Sequence, residues 1–178
     1  MKLLRTIRLD ASDTFIFPKA AEPGEWAVSG PFVFWDHDPT TLEGKARSAF
    51  RGGFLGVSSL GWSTLAQIVE ASEAERTQVV DLLTRQLVAH FNAPTTDVAR
   101  AAAAEEVAFA QSLCSQPLDT LIAVHRSVEA GEVHESFRSL RPGAGQKPAR
   151  AFSFLEVDGD DEPDEAVDLV GLAERERK

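Results

Sequence analysis

Leu121-Ile122-Ala123-Val124-His125-Arg126-Ser127-Val128-Glu129-Ala130-Gly131-Glu132-Val133-His134-Glu135-Ser136-Phe137-Arg138-Ser139-Leu140 reads as two strands folded back on one another. Gly131 supplies the positive φ that a short turn needs. Pairing Val128 with Val133 sets Arg126 against Glu135 and Val124 against Phe137. A charge pair and an aromatic–β-branched pair are both favourable cross-strand neighbours, and their agreement fixes the register.

Upstream lie two helices. Ser72 and Glu75 form a capping box before Val79, Val80, Leu83, Leu87 and Phe91, an apolar stripe at helical spacing. Asp81 and Arg85, four apart on the wet face, are spaced to pair. Beyond Pro94 an Ala-rich helix runs from about Thr96 to Cys114, burying Ala99, Ala103, Val107, Ala110 and Cys114. Glu106 sits at its margin, partly buried, in position to pair with an arginine. Nearer the N-terminus, Leu3 to Leu9 alternates as a strand that Thr14-Phe15-Ile16-Phe17 continues up to Pro18. Trp26 to Trp35 is a kinked or edge strand with Gly30-Pro31 inside it. Asp38 caps a helix with Pro39 in its first turn, ending at Gly52-Gly53. Trp62 to Val69 is one more strand. Terminal meanders around paired helices predict an α+β, two-layer domain of mainly antiparallel sheet with helices on one face, ferredoxin-like as the leading topology.

The chain has 178 residues, enough for one domain that needs no disulfide or metal to fold. Its 18 basic against 28 acidic residues give a net charge of −10, the wrong footprint for nucleic acid. No apolar run is long enough to cross a membrane. Arg5, Arg8 and Asp10 interrupt the opening before a signal-peptide core can form, and a single cysteine fits a reducing compartment, so a cytoplasmic protein is expected. Residues 1–141 hold 13 basic and 18 acidic residues, whereas 142–178 hold 5 and 10. The break falls at Pro142-Gly143-Ala144-Gly145, which predicts a domain over 1–141 followed by an acidic, largely flexible tail.

Few residues offer chemistry. Gly52-Gly53-Phe54-Leu55-Gly56, with Ser58 close behind and Arg47 and Arg51 ahead, is a candidate anion cradle. It follows a helix rather than opening one, which suits a plain cap and turn better. Asp36-His37-Asp38 is the densest polar cluster, but adjacent extended residues diverge and Asp38 already serves as a cap. Asp36, His37, Arg47, Arg51, Gly53 and Ser58 make up the small-molecule reading: an enzyme or anion-binding domain centred on 52–61. His125 and His134 are diagonal neighbours on one hairpin face without a third ligand, so no metal and no cofactor are expected. Cys114 lies on the apolar row at a helix C-terminus, where a thiolate is disfavoured. In the tail, Phe152, Phe154 and Leu155 precede six acids in the eight residues 158–165. Leu169, Val170 and Leu172 then lie on a short amphipathic helix, a docking element for a protein partner or a solubilising appendage.

Met1-Lys2-Leu3-Leu4-Arg5-Thr6-Ile7-Arg8-Leu9-Asp10, Phe54-Leu55-Gly56 leading to Gly61-Trp62-Ser63, and Leu121 to Arg126 together resemble a family of short, functionally uncharacterised proteobacterial proteins. The resemblance covers roughly 1–141 and carries no catalytic motif. It implies an accessory role, linked to the maturation of a cofactor-containing enzyme. The expectation from the chain as a whole is a non-enzymatic, protein-binding module.

Overall fold

A computed structural model describes residues 1–141 and Glu156–Val157. Seven strands lie within 1–141: β1 (Lys2–Ile7), β2 (Trp26–Val28), β3 (Phe54–Gly56), β4 (Trp62–Ser63), β5 (Leu65–Glu70), β6 (Leu121–Glu129) and β7 (Glu132–Arg141). A two-residue β8 (Glu156–Val157) adds to the edge, pairing with Leu140 and Arg141. The sheet runs β4-β3-β2-β1-β5-β6-β7-β8, and every neighbouring pair is antiparallel. Four α-helices accompany it: α1 (Ser12–Ile16), α2 (Gly44–Gly52), α3 (Glu73–His90) and α4 (Thr96–Ser112). The class is α+β. The element order is not the β-α-β-β-α-β of a ferredoxin-like domain, because α1 and α2 interrupt the first half and both long helices fall between β5 and β6.

The hairpin forms in the expected register, Val128 against Val133, Arg126 against Glu135 and Val124 against Phe137. Ala130 joins Gly131 at positive φ, 52° and 84°, the backbone of a tight two-residue turn. The capping box is also present: Ser72 Oγ accepts from Glu75 N, and Glu75 Oε2 accepts from Ser72 N. On α4 the row Ala99, Ala103, Val107 and Ala110 is buried. Its small side chains let the helix approach β1 and β2 closely, while α3 packs against α4 and α2 against β6. Phe137 on β7 meets Phe109 on α4, with centroids 5.8 Å apart, and Phe54 on β3 at 6.2 Å. Strands five places apart in the order therefore touch, and the sheet is curled rather than open.

Several local expectations fail for identifiable reasons. Residues 14–16 belong to α1 instead of prolonging β1: Asp10 Oδ1 takes the Ser12 N–H at 2.8 Å, turning the chain, and buried Asp13 is held by Thr64. That Asp13–Thr64 contact also splits the expected Trp62–Val69 strand into β4 and β5. The Trp26–Trp35 strand stops at Val28, because Gly30 takes φ 79° and a 3₁₀ turn follows over Pro31–Phe34. An alanine there would put its Cβ 2.6 Å from Leu55 Cβ. Asp38 does cap, accepting from Thr40 N, but what it caps is a single 3₁₀ turn (Pro39–Thr41), and α2 starts separately at Gly44. Asp81 pairs with Arg100 across to α4 at 2.6 Å, leaving Arg85 exposed.

Candidate functional site

Inward alternation on β6 places Arg126 in the same row as Ile122 and Val124, and its side chain is 0% exposed. A guanidinium has five N–H donors, and here each finds an acceptor. Nε donates to Glu135 Oε1 at 2.6 Å. Nη1 donates to the carbonyls of Phe50 (2.9 Å) and Gly53 (2.8 Å) at the end of α2. Nη2 donates to the Ser29 carbonyl and to Ser29 Oγ, which itself donates to Glu135 Oε1. Burial pulls this guanidinium below its ordinary range, opposed by the neighbouring Glu135 and Glu106 carboxylates. One side chain thus ties together β6, β7, the end of α2 and the turn after β2.

Glu106, on α4, does not pair with an arginine as expected, since Arg126 is committed to Glu135. It is half-buried, and its Oε2 is sealed from solvent with no donor among the described residues. Burial first, and then the nearby Glu135 carboxylate, push the Glu106 carboxyl up to about 7. The Gly30 N–H and Arg126 pull the other way.

Glu106 lines a cleft of about 480 Å³ between the 31–39 segment, α2, α4 and the hairpin tip, within the size range of ligand sites. Phe32, Phe34 and Phe50 line it together with Pro31, Trp35, His37, Pro39, Gly131 and Val133. The phenylalanines are braced from behind. Phe34 meets Phe50 edge-on at 5.5 Å and stacks on Trp62 at 5.3 Å, and Phe32 meets Phe91 edge-on at 5.3 Å. Trp35 is 84% exposed, an unusual state for the largest apolar side chain.

Of the six residues in the small-molecule reading, His37 alone lines this cleft. Asp36, Arg47, Arg51 and Ser58 are exposed elsewhere, and Gly53 is buried beneath Trp62. The glycine-rich turn does cradle an anion, but the anion is the chain's own. Glu25 Oε2 accepts the N–H groups of Ser58 (2.9 Å) and Ser59 (2.8 Å), and Glu25 Oε1 accepts that of Glu22. His125 and His134 are exposed on the outer face of the hairpin, and among the described residues no three His, Cys, Asp or Glu side chains gather to hold a metal ion. Cys114 is buried, donates to the Ala110 carbonyl, and is pushed up to about 11 by burial. Phe152, Phe154, Leu155, Leu169, Val170 and Leu172 lie outside the described residues. Sequence reasoning paired Arg126 with Glu135 but missed its burial and its bonds to Ser29, Phe50 and Gly53, and it missed the aromatic cleft. An arginine on the inward row of a strand was the available signal for the first, whereas the cleft depends on the 31–39 segment folding back over α2.

Residues 1–153 match the family model DUF6505, a family of unknown function, and the chain belongs to that family. The match extends past Arg141 into the segment the composition break assigns to the tail. No curated protein and no solved structure matches the chain. No helix among the described residues is long and apolar enough to cross a membrane.

Proposed function

We propose that this protein is a non-enzymatic accessory module whose aromatic cleft receives a side chain from a protein partner, with the acidic tail as a second docking element. The observation that carries this reading is Trp35, an indole 84% exposed that lines a cleft together with Phe32, Phe34, Phe50 and Glu106. Buried aromatic anchors surrounded by a polar rim are what protein interfaces are built on. Among the described residues no serine, cysteine or lysine lines the cleft. One observation favours an enzyme instead: a carboxyl that titrates near neutrality is suited to proton transfer.

The test is affinity capture with full-length protein, Trp35→Ala and Leu169→Asp/Val170→Asp, read by quantitative mass spectrometry. A partner lost from the Trp35→Ala capture, with the thermal midpoint unchanged, supports the module. Capture profiles identical for all three proteins would reject both docking elements.

A further inference from the structure

We propose that the open edge of β7 pairs with the same edge of a second copy of this chain, joining two sheets across a twofold axis at Glu135. The inference stands on the sheet edge and does not depend on what enters the cleft.

β7 (Glu132–Arg141) pairs with β6 one residue against one along the hairpin, so it carries no bulge. On its other side, among the described residues, only Leu140 and Arg141 are paired, with β8. Residues 132–139 therefore present a straight row of backbone donors and acceptors, with no proline and no lysine to blunt it. The inward charge on this stretch, Glu135, is already bound by Arg126. The hairpin turn decides which backbone groups are open. Ala130 and Gly131 make a two-residue turn, so Glu129 and Glu132 exchange hydrogen bonds. Alternation then points the N–H and C=O groups of Val133, Glu135, Phe137 and Ser139 away from β6.

β8 shows that this edge takes an antiparallel strand, but the chain's own next residues would make a poor one. Extending the β7–β8 register would set Gly159 against Arg138, Glu162 against Glu135 and Pro163 against His134. A second copy fits better. In a twofold antiparallel pair, residues on the same face oppose one another. With Glu135 opposite itself, Val133 meets Phe137 and Glu132 meets Arg138, each pair occurring twice. Both are favourable cross-strand neighbours. Glu132 already faces Glu129 across the hairpin, and among the described residues neither these carboxylates nor Arg138 has an ion-pair partner. Val133, 43% exposed, gains an aromatic neighbour. Each Glu135 keeps its own Arg126 and Ser29. Moving the axis to Ser136 would instead set His134 against Arg138, and moving it to His134 would set Val133 against Glu135. The register centred on Glu135 uses residues 132–138, stops short of those β8 covers, and makes about six backbone hydrogen bonds.

A seam of one strand pair is small and each copy carries −10, so the dimer is weak. The test is sedimentation velocity of the full-length protein from micromolar to millimolar concentration, in about 0.15 M salt, where distant charges are screened. Wild type should pass from monomer to dimer as concentration rises. Arg138→Glu and Glu132→Arg each set like charges opposite twice, and should weaken the dimer at least about tenfold with thermal midpoints unchanged. An equimolar mixture of these two variants should dimerise again, because the mixed pair brings opposite charges together. Val133→Pro, which removes an N–H that β6 does not use, should also be monomeric. Wild type that stays monomeric throughout overturns the proposal and leaves the edge to the tail or to a foreign strand. A dimer that survives both charge reversals, or variants whose mixture stays monomeric, overturns it as well.

Discussion

Glu106 keeps its proton to about pH 7, whereas an unfolded chain releases it near 4.5. Between those values the unfolded state has lost a proton that the folded state still holds, so this residue makes stability fall as pH rises through that window. Below 4.5 both states are protonated and the penalty disappears; above 7 it is complete. A gap of that size corresponds to roughly 1–3 kcal/mol against folding at pH 8. Glu106→Gln should therefore raise the urea midpoint at pH 8 and leave it nearly unchanged at pH 4, which chemical denaturation across pH can check. A stability gain at both pH values would mean that packing, not ionisation, is what Glu106 disturbs. Arg126 shows the opposite arrangement, a buried charge with every donor satisfied.

Between elements, Arg126 acts as a pin joining the β6–β7 hairpin to the last turn of α2 and to the turn after β2. Arg126→Met should destabilise the protein by about 3–5 kcal/mol, because it strands the Glu135 carboxylate and leaves the Ser29, Phe50 and Gly53 carbonyls without their donor. Replacing Glu135 with leucine in the same chain should recover part of the loss; denaturant unfolding of the single and double variants measures both. The hairpin that carries this pin was legible in the sequence because its determinants are local: period-two alternation, a glycine turn and two complementary cross-strand pairs. The capping box at Ser72 and the alanine row of α4 were legible for the same reason. What was not legible depends on residues far apart in the chain. Asp13 meets Thr64 and converts a strand-like run into α1, and Arg100 draws Asp81 away from Arg85. The turn at Ser58 and Ser59 suited a plain cap and turn better than an anion cradle, and nothing local shows that the Glu25 carboxylate takes both of its N–H groups. The cleft combines α4, the hairpin tip and the 31–39 segment, and periodicity within any one of them is silent about the others.

Over the whole molecule, the curl of the sheet brings β3 and β7 together through Phe54 and Phe137 around the core of the described residues. The acidic remainder adds the two-residue β8 at the sheet edge. Ending the chain after Arg141 should leave cooperative unfolding intact and the thermal midpoint within a few degrees, since two backbone-paired residues contribute little burial. Differential scanning calorimetry of chains ending at 141 and at 157 checks this; a broad or lost transition in the shorter chain alone would show that the edge strand completes the domain. The position of Arg126 late in the chain has a further consequence, for how the protein is made. A ribosome releases β1 to β5, α3 and α4 before the hairpin exists, and during that interval the carbonyls at Ser29, Phe50 and Gly53 face water with no partner. Translation delivers residues 126 and 135 only after β1 to β5, α3 and α4, so the curl can lock only once the hairpin has emerged.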